Sequence, residues 1–187
     1  MPITEDSPTG ATTNPYGRSK LAAEHAVQAL AETDAQPVVI FRLPGVFGKW
    51  CRPNYNSVVA TFCHNIAHGQ SIQINNPATS LRLVYIDDVV TALIAAIATP
   101  STPGLTWGTV QDEYTITLGE LAAQIRAFGH CRTSLMTERV GTGLTRALYS
   151  TYISYLPPER SAYTLPRYDD TRGVFVEAFK TPDCGQF

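Results

Sequence analysis

Nowhere in this chain do glycines fall in the spacing Gly-x-Gly-x-x-Gly. That removes the turn by which a nucleotide-binding βαβ unit brings backbone N–H groups to a pyrophosphate. The nearest stretch, Gly141-Thr142-Gly143, has no third glycine and no preceding apolar strand, and reads as loop. Paired cysteines are missing too. Cys51, Cys63, Cys131 and Cys184 are scattered without a Cys-x-x-Cys pair, which argues against a zinc site and for free thiols in a reducing, cytoplasmic setting. No apolar run reaches the roughly 18–20 residues needed to span a bilayer, so no membrane association is expected. Net charge is only −2, and without a basic cluster or an array of stacking aromatics a nucleic-acid partner is excluded. No internal repeat is visible.

What is present is a chain of 187 residues, 44% hydrophobic, enough to bury a core as one globular domain with a start on another. Residues 1–13, rich in Pro, Thr, Ser and Gly, read as loop. Over residues 19–32, Ala23, Ala26, Val27 and Leu30 recur at helical spacing and predict an amphipathic helix. Pro37 ends it, and the continuous apolar run 38–41 predicts a buried parallel strand. After the Leu43-Pro44-Gly45-Val46-Phe47-Gly48 turn, Asn56 can cap a helix whose stripe is Val59, Phe62, Cys63, Ile66 and Ala67, stopped by Gly69. Short strands are expected at 71–74 and 83–86, and a helix at 89–98 with Asp87 and Asp88 at its N-terminus. Thr117 and Glu120 have capping-box spacing and open a helix through Leu121, Ala122, Ile125 and Phe128. Residues 149–158 are aromatic-rich without a clear period, and 173–179 alternate as a strand. Helices alternating with buried strands argue an α/β layer fold.

The most informative feature is Asn14-Pro15-Tyr16-Gly17-Arg18-Ser19-Lys20. On a helix, Tyr16 and Lys20 share one face. A phenol beside a fixed ammonium can give and take the proton of a C–OH/C=O interconversion, because the positive charge favours phenolate. A bare Tyr-x-x-x-Lys is equally a helix start with a surface lysine. Two later segments add weight: the strand-end turn at residues 44–48, and Val84-Tyr85-Ile86-Asp87-Asp88-Val89.

With these three motifs in order, the chain resembles an extended short-chain dehydrogenase/reductase, the family of nucleotide-sugar epimerases, dehydratases and reductases. The stretches Phe47-Gly48-Lys49-Trp50-Cys51-Arg52-Pro53-Asn54-Tyr55-Asn56 and Leu148-Tyr149-Ser150-Thr151-Tyr152 resemble a narrower group. Its members reduce the C4 keto group of a UDP-linked 6-deoxy N-acetylhexosamine for capsular or surface polysaccharide, and join a reductase domain to a cupin. Asp170-Thr171-Arg172-Gly173-Val174-Phe175-Val176-Glu177 is similar to the opening strand of that cupin.

The resemblance implies a fragment. Residues 1–165 would be the C-terminal half of a Rossmann-like reductase domain with its substrate-binding part. Residues 166–187 would begin a cupin, stopping before its metal-binding histidines. The nucleotide-binding turn would lie before Met1. The complete enzyme would use NADP(H) or NAD(H), take a UDP-sugar and dimerise through the tyrosine–lysine helix, where residues 22–29 are rich in alanine. The fragment alone is expected to bind no dinucleotide tightly and to be inactive. A 4,6-dehydratase or epimerase of the same family, or a non-catalytic remnant or association module, are the alternatives.

The resemblance also carries residue roles. Tyr16 is the acid/base and Lys20 its electrostatic partner, both touching the cofactor. Ser7 stands where the carbonyl-binding hydroxyl is expected, with Thr9 and Thr13 as competitors. Pro44 and Val46 border the nicotinamide. Gly45 borders the sugar, at a position where many relatives carry Asn. Lys49, Arg52 and Asn54 follow the strand end, where an open sheet places its ligand; a cation there can pair with a diphosphate, and the same composition suits a solvated loop. Arg82 falls one position from a phosphate-gripping arginine and takes no role. His64 and His68, at i, i+4, lack a third ligand, so no metal site is expected. Trp50 and Trp107 read as packing residues rather than sugar platforms, and Tyr149, Tyr152 and Tyr155 as packing rather than binding residues.

Overall fold

The structure, a computed structural model, describes residues 15–33, 36–99, 102–178, 180–181 and 185–186. The chain divides into two compact units, Met1–Pro44 with Asp87–Gln111, and Gly45–Ile86 with Asp112–Phe187.

In the first unit, helix α1 (Pro15–Thr33) packs on strand β1 (Pro37–Phe41), which pairs in parallel with β4 (Gly104–Gly108). Pro15 opens α1 where its missing N–H costs nothing. The packed face of α1 is not the one its apolar spacing predicts. Leu21, Glu24 and Gln28 are half-buried and Ala31 is buried, whereas Ala23, Ala26, Val27 and Leu30 are exposed. A charged side chain holds the buried face: Arg42 donates from Nε and Nη2 to the Glu24 carboxylate at 3.2 and 2.5 Å, and its guanidinium lies 4.6 Å from the Trp107 ring centroid. Helix α3 (Ile86–Ala98) carries Asp87 and Asp88 in its first turn, as expected, where the helix dipole favours them.

The second unit holds the main core. Strands β2 (Gly45–Phe47) and β3 (Ser80–Tyr85) are parallel, and β5 (Glu113–Thr117) adds antiparallel to β3. Helices α2 (Val58–Ala67), α4 (Leu118–Ser134) and α5 (Gly143–Ile153) pack on one another. Their stripes meet in one cluster that includes Val59, Phe62, Cys63, Leu121, Ile125, Phe128, Leu148 and Tyr152, all nearly inaccessible. Each such aliphatic or aromatic side chain contributes about 1.5–3 kcal/mol by leaving water. The α4 capping box forms in full: Glu120 N–H donates to Thr117 Oγ1 at 3.2 Å, and Thr117 N–H to Glu120 Oε2 at 2.9 Å. At the far end of α2, Gly69 takes φ 70, and Arg160 Nη1 donates to the Ala67 carbonyl at 2.7 Å, covering a group the helix leaves unpaired. Beyond the core, β6 (Arg167–Asp170) and β7 (Gly173–Val176) form an exposed antiparallel hairpin, and β8 (Lys180–Thr181) pairs with β9 (Gly185–Gln186).

Three local expectations are corrected. The α2 cap is Ser57, whose Oγ accepts from Ala60 N–H at 3.3 Å, while Asn56 takes left-handed backbone at φ 52. No strand forms at 71–74: Ile72 and Ile74 pack on the core, but Asn65 Nδ2 takes the Ser71 carbonyl at 3.1 Å and no neighbouring strand pairs there. The aromatic stretch from Tyr149 belongs to α5 and its C-terminal turns. The expected strand at 173–179 is ordered as β7 over residues 173–176, and Phe179 lies outside the described residues.

Candidate functional site

Helix α1 places Tyr16 and Lys20 on one face, with the Lys20 ammonium 5.5 Å from the Tyr16 ring centroid. Tyr16 is 68% exposed, so its phenol is open to a reactant. Ser19 turns its hydroxyl back to the Tyr16 carbonyl at 2.8 Å, helping to hold the first turn. Ser7, Thr9 and Thr13 lie outside the described residues. Pro44, at the end of the same unit, is half-buried.

The remaining expected site residues belong to the second unit, clustered where two parallel strands end. Phe47 closes β2 and Tyr85 closes β3, and their rings meet at 5.5 Å. Gly45 and Val46 are exposed on β2. Gly48 follows, with no room for a side chain: a Cβ there would lie 2.1 Å from Ile86 Cγ2. Beyond it the chain forms a loop with three non-glycine residues in left-handed conformation, Trp50 at φ 63, Asn54 at φ 58 and Asn56 at φ 52. Two anchors fix that loop. Asn54 N–H donates to Thr61 Oγ1 at 2.9 Å, and the Tyr155 hydroxyl donates to the Cys51 carbonyl. Burial pushes the Tyr155 phenol up to about 12, so it stays a donor at any working pH.

Two cations line this loop, each beside an aromatic ring. Lys49 Nζ is 5.9 Å from the Trp50 ring and 5.8 Å from the Tyr85 ring, and the Arg52 guanidinium is 5.5 Å from the Tyr55 ring. The packing role read for Trp50 is wrong: the side chain is 83% exposed. Trp107, under Arg42, and Tyr149 and Tyr152, in ring contact with Phe128, do pack. Arg82 pairs with Glu113 at 2.5 Å across β3 and β5. His64 and His68 stack at 4.1 Å, and no group of three metal-ligating side chains occurs among the described residues. No helix among them is long and apolar enough to cross a membrane.

Sequence reasoning missed the Glu24–Arg42–Trp107 cluster and the left-handed loop. The first needed knowledge that β1 and β4 are neighbours. The second carries a partial signal: Asn54 and Asn56 are of a type enriched at positive φ, whereas tryptophan has no such preference and Trp50 gives none.

Parallel strands flanked by helices, with exposed polar groups at the strand ends, define a Rossmann-like α/β protein. The chain belongs to the NAD dependent epimerase/dehydratase family, whose model matches residues 1–106. It is 53% identical over 174 residues to the UDP-2-acetamido-2,6-beta-L-arabino-hexul-4-ose reductase of Pseudomonas aeruginosa, covering 93% of this chain and 46% of that protein. Among solved structures it is similar to the capsular polysaccharide assembling protein CapF of Staphylococcus aureus, with TM-score 0.82 and 41% identity, over 95% of this chain and 48% of that one. The UDP-glucose 4-epimerase of Thermus thermophilus, in complex with NAD, shares the fold at TM-score 0.60 and 18% identity, over 76% of this chain and 54% of that one. The chain therefore spans about half the length of the relatives it matches.

Proposed function

We propose that this chain is the tyrosine–lysine-bearing part of an oxidoreductase that reduces the C4 keto group of a UDP-linked 6-deoxy N-acetylhexosamine for capsular or surface polysaccharide. The observation that carries the reading is the exposed Tyr16 beside Lys20 at the start of α1, in a chain 53% identical to a UDP-sugar 4-ulose reductase. Residues 1–165 then form the C-terminal half of the reductase domain, and residues 166–187 begin the cupin. The setting is cytoplasmic.

The fit to a nicotinamide dinucleotide is partial. Tyr16 and Lys20 offer an exposed phenol and ammonium on one face, suited to a ribose and a carbonyl substrate. The sequence holds no glycine-rich turn for the pyrophosphate. When bound, the dinucleotide supplies the hydride. The chain's own part is proton transfer: the Tyr16 phenol donates to the C4 oxygen as negative charge develops there, and the Lys20 ammonium stabilises the phenolate left behind. Ser7, with Thr9 and Thr13 as competitors, is the proposed hydrogen-bond donor to the same oxygen. Pro44 and Val46 border the nicotinamide and Gly45 the sugar, while Lys49, Arg52 and Asn54 meet the substrate, the two cations at its diphosphate.

A homodimer in the complete enzyme is supported by α1. Its exposed Ala22, Ala23, Ala26 and Ala29 let a second helix approach closely.

The test uses a chimera in which this segment replaces its counterpart in the Pseudomonas aeruginosa reductase. Tyr16→Phe is expected to lower kcat by at least about 100-fold with KM nearly unchanged, since the phenol acts on the developing oxyanion. A variant turning over near the parent rate removes Tyr16 from the chemistry.

A further inference from the structure

We propose that Trp50 is the platform on which the sugar ring of the substrate stacks, and so a specificity-determining residue. The proposal rests on the nucleotide-sugar reading above and names the group that recognises the hexose. Trp50 is 83% exposed, so its ring face is open to a ligand. Its backbone sits at φ 63, where a bulky side chain is sterically costly. The chain is anchored after Trp50, through Tyr155 on the Cys51 carbonyl and Thr61 on the Asn54 N–H, and before it Gly48 lies tight against Ile86. The backbone beside it is held while the indole itself stands exposed, so the side chain adds little to packing.

Its place in the fold gives it a ligand. Trp50 lies three residues beyond Phe47, at the shared end of the parallel strands β2 and β3, the edge where open α/β sheets bind small molecules. Lys49 stands beside the ring, with its ammonium 5.9 Å from the indole centroid. The pairing of a flat apolar surface with an adjacent cation matches a hexose linked to a diphosphate. The C–H face of the ring lies on the indole, and the phosphate oxygens reach the ammonium. A 6-deoxy hexose suits the surface further, because a methyl group replaces the hydroxymethyl that would need solvation.

The chain has two tryptophans, so Trp107→Phe leaves Trp50 as the sole indole reporter. Its emission is expected to shift saturably with UDP-N-acetylglucosamine and with N-acetylglucosamine 1-phosphate, and by clearly less with UDP alone, whose phosphates reach Lys49 but place no ring on the indole. In calorimetry, Trp50→Leu is expected to weaken UDP-N-acetylglucosamine about tenfold and leave UDP binding as it was. An unchanged unfolding midpoint shows that this variant is folded. Equal affinity of parent and Trp50→Leu for the nucleotide sugar, or an equal emission shift with UDP, overturns the platform and leaves the reductase reading standing. No binding of any of the three ligands at millimolar concentration, by this chain or by the chimera with the Pseudomonas aeruginosa reductase, overturns both.

Discussion

At the scale of single residues, His64 and His68 show how one pair of side chains sets a pH dependence. The rings stack at 4.1 Å, and His68 Nδ1 lies 2.8 Å from the His64 carbonyl. Burial, and then the charge of His68, lower the His64 pKa from 6.5. The folded chain therefore prefers neutral His64, and the unfolded chain binds more protons as the pH falls through 6.5. Stability contributed by the neutral ring is present above that pH and is lost below it. Urea midpoints are expected to drop between about pH 7.5 and pH 5.5, and His64→Gln should reduce that drop. An identical drop in the variant would assign the titration elsewhere. Tyr16 and Lys20 were legible at this scale because both sit on one helix turn, so spacing alone joins them. Trp50 was not, because its exposure depends on how Cys51 and Asn54 are anchored by residues distant in sequence.

At the scale of elements, Gly48 shows how the strand-end loop is positioned. It leaves β2 against Ile86, where a Cβ would lie 2.1 Å from Cγ2 and 2.9 Å from Cβ of that branched side chain. Ile86 is fixed at the start of α3 and cannot swing away as a long flexible side chain would. Gly48→Ala is expected to cost about 1–3 kcal/mol in urea unfolding, and to shift the Trp50 emission because the loop must move. A variant as stable as the parent, with unchanged emission, would mean the contact relaxes freely. The helices were readable to different degrees for physical reasons. In α4 the capping box and the buried Leu121, Ala122, Ile125 and Phe128 give both a start and a period. In α5 the period is hidden by a polar residue: fully buried Thr151 satisfies itself by donating to the Ala147 carbonyl at 2.8 Å, and so reads as surface. In α1 the period was visible and its face was misread, since the Glu24–Arg42 pair lets a charged residue sit on the packed side.

At the scale of the whole molecule, the two units differ in how well their apolar surface is covered. The second unit closes a core among α2, α4 and α5. In the first, β1 and β4 form a parallel pair, an arrangement that proteins ordinarily bury on both faces. Here α3 leaves Leu93, Ile94 and Ile97 42%, 60% and 86% exposed. An open groove of ≈ 420 Å³ runs between β1 and that helix, lined by Val39, Phe41, Leu93 and Ile97. The chain covers 46% of the Pseudomonas aeruginosa reductase and 48% of CapF. Contiguous exposed apolar groups bind hydrophobic dyes and promote self-association. Ile94→Lys with Ile97→Lys is expected to reduce the fluorescence of bound anilinonaphthalene sulfonate about twofold and to lower light scattering at high concentration. The unfolding midpoint should not fall, because neither side chain is buried. Unchanged dye binding would show that this face is covered in solution, and would place the accessible apolar surface elsewhere, the β6–β7 hairpin with exposed Tyr168, Val174 and Phe175 being the next to probe.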